Sequence, residues 1–316
     1  MKLYIDSINS SHCNDNRYLL LKKCIEKNRV SNIKLDNITS IKNTNEKLNN
    51  FDKLIVLGDS LSDSGNIFKR FKRIFPSAIQ YYKGRFTNGF TWVDHLSKPN
   101  LLFNKCVNLS YGGAVAGNYK LKEGFACHFL SSIKKQLKKV KTTKNDLAIM
   151  MAGANDYMTY KKDDVDRVIK AQKSNMTKLI KKGTKNIIIA GIPDISHTPS
   201  AKSKTNEQRA RLTSLSMEHN EKVRSLVNEM SSKNKDIKIH FFDTNKIFES
   251  VIEEAKELPG YVIDKSYYSG SYVELNKIDE MVSDHKHIFN DRVHPSEEVH
   301  AILAYEFENF IKEKFL

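Results

Sequence analysis

The sequence predicts an α/β fold built on an open parallel β-sheet with helices on both faces. Three observations lead to it. Short runs of strand length alternate with longer helical patterns. The runs are apolar throughout rather than alternately polar, so both faces of each strand are covered. The order strand, helix, strand, helix requires crossovers that layer helices above and below the sheet. With 316 residues, 40% of them hydrophobic, the chain can build one large domain and an appendage.

Residues 1–50 are rich in Asn, Ser and Lys. Within them "YLLLKKCIEKN" (18–28) is compatible with one short helix, and "NITSIKNTNEKLNN" (37–50) is a polar connector. This stretch is expected to be an N-terminal extension, suited to a secretion address or to partner binding. The main domain is expected over 51–316. Its strands are expected at "KLIVLGD" (53–59), "CVNLS" (106–110), "DLAIMMAG" (146–153), "NIIIAGI" (186–192) and "IKIHFFD" (237–243). Helical patterns cover 128–140, 163–182, 205–232 and 296–313. In open parallel sheets ligands bind beyond the carboxyl ends of the strands. Four of these ends read "GDS" (58–60), "NLSYGG" (108–113), "AGAND" (152–156) and "GIPD" (191–194), which gathers glycines and polar side chains on one rim.

Composition excludes several classes. Lys and Arg number 52 against 37 Asp and Glu, a net charge of +15. That excess is either a solvated lysine-rich surface or an attraction to an anionic partner. Neither zinc-finger spacing nor a basic–aromatic RNA strip is present, so nucleic acid is not the expected partner. Cys13, Cys24, Cys106 and Cys127 form no CxxC pair, so a metal or dithiol role is not indicated and free thiols are expected. The N-terminus lacks the apolar core of a Sec signal, and no run approaches the ~20 apolar residues of a membrane span.

Ser60 ends the first strand run. It is either a turn or N-cap serine or a nucleophile. The chain has no GxSxG elbow and no GxxxxGK[ST] loop; "GGAVAG" (112–117) is followed by Asn118 rather than Lys. A nucleophilic serine needs a base, and "FNDRVHPSEEVH" (289–300) offers one. Pro295 disfavours a helical His294, so Asp291 and His294 fall on a loop where the acid can hold one imidazole nitrogen. His285, His287 and His300 are expected on the surface. The Gly112–Gly113 pair and the Asn155 amide are turn formers or donors to an oxyanion. Asp59 and Asp156 could serve as orienting acids but have no nearby histidine in sequence, so they are expected to structure the rim. Asp63 and Asn66 are expected to cap the first helix.

The blocks "GDSLSDSGN" (58–66), "NLSYGG", "GAND" (153–156) and "DRVHP" (291–295) resemble, in order, those of the GDSL or SGNH hydrolase family. The likeness runs over roughly residues 52–313. "GRFTNGFTWVDHL" (84–96), "GIPDISHTP" (191–199) and "EHNEKV" (218–223) resemble its lipase/acyltransferase branch, of the glycerophospholipid:cholesterol acyltransferase type found among translocated effectors. The resemblance implies a three-layer α/β/α, flavodoxin-like fold and ester chemistry without metal or other cofactor. It implies Ser60 as nucleophile, His294 as base and Asp291 as its orienting acid. The Ser60 amide, Gly113 and Asn155 would form the oxyanion hole, with Gly112 as the alternative glycine. It also implies membrane phospholipids as acyl donors, water or a sterol as acceptor, and an activating Rho-type small GTPase of a host.

The absence of a Sec signal agrees with delivery by a specialised secretion system onto host membranes, and equally with a cytoplasmic enzyme. A catalytically silent module docking on membrane or protein through the basic surface is the alternative. Lys134, Lys135, Lys138 and Lys139 recur at spacings that share a helix face, and with "KLIKKGTK" (178–185) they are the expected contacts to an anionic membrane.

Overall fold

The computed structural model describes residues 19–21, 23, 24, 26, 51–97, 102–117, 119, 120, 123, 132–269 and 286–316. The five apolar runs become β1 (Phe51–Gly58), β2 (Phe103–Asn108), β3 (Leu147–Met151), β4 (Asn186–Ala190) and β5 (Lys238–Phe242). All pair in parallel, in the order β2-β1-β3-β4-β5. The chain thus winds outward from β1 to β2, then returns to the other side of β1 and continues to β5. The reversal falls between β1 and β3, which is where an open parallel sheet offers a crevice at its carboxyl rim.

Alternate residues of each strand enter different cores. Ile55 and Leu57 of β1, Met150 of β3 and Ile187 and Ile189 of β4 join one cluster with Leu137, Val168, Leu179 and Val223. Leu54 and Val56, Ile149 and Ile188 join the opposite one with Trp92, Leu303, Phe307 and Ile311. The first cluster is closed by α3 (Ile133–Leu137), α5 (Val165–Lys181) and α7 (Asn206–Lys233), the second by α2 (Trp92–Leu96) and α9 (Glu297–Phe315). This is the three-layer α/β/α arrangement. Strand residues buried on both faces each contribute about 1.5–3 kcal/mol by leaving water.

Helix starts follow local chemistry. Thr205 and Gln208 form a capping box at α7, and the Asp164 side chain accepts from the Arg167 amide at α5. The remaining short helices are α1 (Asn66–Arg70), α4 (Ala154–Met158) and α6 (Pro199–Lys202). The pattern over 128–140 yields α3 alone within the described part of that stretch.

Beyond the short helices α2, α4 and α6, three further elements lie outside the predicted pattern. Helix α8 (Thr244–Lys256) starts at Asp243, whose carboxylate accepts from the Lys246 amide, and it buries Phe248, Val251, Ile252 and Ala255. Strands β6 (Tyr261–Ser266) and β7 (Lys286–Phe289) pair in parallel as a separate small sheet. Residues 19–21, 23, 24 and 26 are helical. Leu20, Leu21 and Cys24 pack in a third cluster with α8, β7 and α9, and Glu298 Oε1 accepts from the Leu20 and Leu21 amides at 2.9 and 3.3 Å. Among the described residues, no helix is long and apolar enough to cross a membrane, and no group of three His, Cys, Asp or Glu is placed to hold a metal ion.

Candidate active site

The carboxyl rim is held by side-chain amides reaching across from the helices. Gln136 of α3 accepts from the Gly58 amide at 2.9 Å and donates to the Gly58 carbonyl at 2.7 Å. Gln172 of α5 donates to the Ala152 carbonyl, just after β3, at 2.9 Å. Asn220 of α7 clamps Ile192 after β4, accepting from its amide at 2.8 Å and donating to its carbonyl at 2.7 Å. These satisfy main-chain groups that leave the sheet ladder while still buried. Gly58 itself has no room for a side chain: a Cβ there would lie 2.9 Å from the Met151 carbonyl oxygen and 2.8 Å from Ser62 Oγ.

Ser60 follows after Asp59. Its Oγ lies 2.8 Å from His294 Nε2. His294 Nδ1 lies 2.7 Å from Asp291 Oδ2. The loop between β7 and α9 sets this geometry. Asp291 Oδ1 accepts from the Val293 and His294 amides at 2.7 and 2.6 Å, and the Asn290 amide donates to the His294 carbonyl at 2.8 Å. Pro295 and Ser296 then lead into α9, so His294 stays outside the helix, as Pro295 predicts. Burial pushes the Asp291 carboxyl up, but His294, the Tyr81 hydroxyl and the His294 amide outweigh it and hold the acid below its ordinary range. It therefore remains an acceptor only.

Asn155 opens α4. Its Oδ1 accepts from Thr159 Oγ1 at 2.9 Å, which fixes the amide orientation, and Nδ2 donates to the Ala114 carbonyl at 3.1 Å. One Nδ2 hydrogen remains for the cavity that Asn155 lines together with Ser60 and His294. Gly113 lies on the turn after β2 with φ +72°, and its carbonyl accepts from Tyr160 at 3.4 Å. Gly112 donates its amide to Asp63 Oδ2 at 2.8 Å, so the alternative glycine is already engaged.

The two other carboxylates do not contact a base. Asp59 Oδ1 accepts from the Leu61 amide at 3.1 Å, and Asp156 accepts from the Ala116 and Gly117 amides, both at 2.9 Å, and from Tyr119 at 2.6 Å. Asp63 receives the amides of Gly65, Asn66 and Ile67, so it caps α1. Asn66 instead ties loops, donating to the Asn108 and Ser110 carbonyls at 3.0 and 2.9 Å.

Two histidines expected on the surface are buried. His287 is 7% exposed and its Nδ1 lies 3.2 Å from the Lys265 carbonyl; His300 is 1% exposed and its Nδ1 accepts from the Trp92 amide. Each sits on an element face turned inward, where a distant main-chain group partners it. His285, Cys13 and Cys127 lie outside the described residues. Cys106 is a free thiol, and burial pushes it up to about 11.

Two residues of the site were given no role from the sequence: Tyr81, which has no signal there, and Phe86, which lies within the block "GRFTNGFTWVDHL". Tyr81 donates its hydroxyl to Asp291 Oδ2 at 2.6 Å, and the Phe86 ring lies 4.9 Å from that of His294. Beyond Ser60 a largely apolar cavity extends between Leu61, Met158, Ile195, Phe248, Ile252 and Val293. A hydroxyl, a base held by an acid, an amide donor and an apolar cavity are the parts that acyl transfer requires.

Comparison with known proteins identifies the family. The model of the GDSL-like lipase/acylhydrolase family matches residues 54–307. The chain is 36% identical over 276 residues to the secreted effector protein SseJ of Salmonella typhimurium, covering 86% of this chain and 66% of that protein. It is 28% identical over 233 residues to the phosphatidylcholine-sterol acyltransferase of Aeromonas hydrophila, covering 71% and 67%. It is 29% identical over 269 residues to the thermolabile hemolysin of Vibrio parahaemolyticus, covering 80% and 62%. The aligned part thus spans 62–67% of the length of these relatives.

Proposed function

Because the chain belongs to the GDSL-like lipase/acylhydrolase family, we propose that it is a serine acyl hydrolase and acyltransferase acting on membrane glycerophospholipids. The carrying observation is the relay from Ser60 Oγ to His294 Nε2 at 2.8 Å and from His294 Nδ1 to Asp291 at 2.7 Å, beside an apolar cavity.

In this reading Ser60 Oγ attacks the carbonyl carbon of an acyl ester while His294 Nε2 takes its proton. The ionised Asp291 stabilises the imidazolium and fixes the tautomer with the Nδ1 proton directed at the acid. The carbonyl oxygen gains charge and is met by the Ser60 and Gly113 amides and by Asn155 Nδ2; among the described residues neither amide makes a recorded hydrogen bond. His294 then gives its proton to the departing lysolipid alkoxide, leaving an ester on Ser60 with its chain in the cavity. Water or a sterol hydroxyl, deprotonated by His294, attacks that ester and releases fatty acid or sterol ester. The name of the Aeromonas relative supports a sterol acceptor, and that of the Salmonella relative supports an effector delivered into a host.

Lipid product analysis on phosphatidylcholine vesicles with and without cholesterol tests the substrate. Fatty acid alone in both cases removes the transferase part. Absence of any acyl release, together with no labelling by a serine-reactive phosphonate, leaves a silent binding module. Stimulation by a GTP-loaded Rho-type GTPase added to the same assay checks the host activator.

A further inference from the structure

The segment between α1 and residue 85 is built unlike the rest of the surface. Residues 64–93 contain Lys69, Arg70, Lys72, Arg73, Lys83 and Arg85 and not one Asp or Glu. Arg85 is held by Asp94 in two hydrogen bonds of 2.8 Å. Lys69, Lys72, Arg73 and Lys83 are exposed and make no recorded ion pair among the described residues. Amid them stand Ile74, 64% exposed, and Ile79, 59% exposed, two of the five large hydrophobic residues exposed in the described part of the chain. Lys72, Arg73 and Lys83 adopt φ of +51°, +65° and +50°, a left-handed conformation that side-chain-bearing residues enter at a cost.

The loop is nevertheless pinned at its base. Phe71 and Phe75 pack on Ile67, Tyr81 and Phe86, and Phe86 in turn lies against His294. Asn290 donates to the Gln80 carbonyl at 3.1 Å, Tyr268 to the Ile79 carbonyl at 3.3 Å and Tyr81 to Asp291. A loop fixed from beneath by the residues around the acid and the base, yet presenting two aliphatic side chains within a cationic ring, has the form of an interfacial anchor. Lys69, Arg73, Tyr82, Lys83 and Arg85 also line one open groove beside it, where lipid phosphates can be met.

We propose that residues 69–83 dock this protein on an anionic phospholipid surface, Ile74 and Ile79 entering the acyl boundary while Lys69, Lys72, Arg73 and Lys83 meet the headgroups. The proposal rests on the lipid-acting reading above and names the membrane element that serves that site. It differs from the lysine-rich face of α3. Lys134, Lys135, Lys138 and Lys139 are exposed there, but the apolar residues among them, Ile133, Leu137 and Val140, are buried, so that face has charge and nothing to insert.

The test is co-sedimentation of the full chain with phosphatidylcholine vesicles, with and without phosphatidylserine, over a salt series. The wild type is expected to bind the anionic vesicles and to be released as salt rises. Ile74→Ser with Ile79→Ser, and separately Lys69→Gln, Lys72→Asn and Arg73→Asn together, should each weaken binding by about tenfold or more. Asn tolerates the left-handed backbone, and melting curves confirm that both variants are folded. Lys134→Gln with Lys138→Gln should change binding by less than about threefold. Equal binding of the wild type to neutral and anionic vesicles, or unchanged binding in both loop variants, overturns the proposal and leaves the patch to a protein partner. Hydrolysis of a dispersed short-chain ester by the wild type tests the enzyme independently of the membrane.

Discussion

Tyr81 and Asp291 stand 210 positions apart and meet in a 2.6 Å hydrogen bond to the same carboxylate oxygen, Oδ2, that faces His294 Nδ1. Tyr81 touches no reacting atom. It positions the acid, and by sharing that oxygen it moderates how strongly Asp291 attracts the imidazolium proton. Tyr81→Phe keeps the ring that packs on Phe86 and removes only the donor. A lost hydrogen bond to a buried charge is worth about 1.5–3 kcal/mol, so kcat should fall roughly 10- to 100-fold with KM little changed. A Tyr81→Phe variant as fast as the wild type would mean that Tyr81 only fills space.

Ser60 and His294 act on one proton, so their loss should not multiply. Ser60→Ala and His294→Ala should each lower kcat by on the order of 10⁴ or more, and the double variant should be about as slow as either alone. Single-turnover rates on a soluble ester measure this for all three. Multiplied losses would show that His294 is not the base of Ser60.

Asn155 carries the one side-chain donor proposed for the oxyanion. Asn155→Ala should cost about 3–4 kcal/mol of transition-state stabilisation, seen in kcat rather than KM. Thr159→Val, which removes the hydroxyl that orients the amide at 2.9 Å, should give a smaller loss of roughly tenfold. If Thr159→Val matches wild type while Asn155→Ala is slow, the amide is held by Ala114 alone.

The central strands β3 and β4 were legible because they are apolar on both faces, a pattern that only a covered parallel sheet sustains, while the edge strands β2 and β5 expose Asn104, Lys105 and Lys238 and show it less fully. The rim was legible because strand ends concentrate glycine and polar residues there. Helix α8 carries a local signal, Asp243 at its start and Phe248, Val251, Ile252 and Ala255 at helical spacing, interrupted by the charged Glu249, Glu253 and Glu254. Other features have no local trace. His300 looks like a solvated helix residue until Trp92, 208 positions away, supplies its partner. Gln136 looks like one more polar residue in a lysine-rich stretch, though it holds Gly58. Long-range pairing of single polar groups follows no sequence period, and so it stays hidden where hydrophobic alternation does not.

Asp59 precedes the proposed nucleophile and is 3% exposed. Burial pushes its carboxyl up from 3.8 to about 7, and the Leu61 amide and His294 offset this only in part. Between these values the folded chain keeps a proton that the unfolded chain has released. By linkage, stability is greatest below the unfolded value and declines as pH rises toward the folded one; above it, the full cost of a buried carboxylate is present. Asp59→Asn retains an oxygen to accept from the Leu61 amide and removes the titration. Other buried acids, such as Asp63, are common to both proteins and cancel in the difference. Urea unfolding of the two chains should therefore give similar stabilities at about pH 4, and an advantage for Asp59→Asn growing by on the order of 1–3 kcal/mol toward about pH 8. A difference that stays constant over that range would mean Asp59 ionises in the fold much as it does in water, and that its carboxylate is fully supported by the rim.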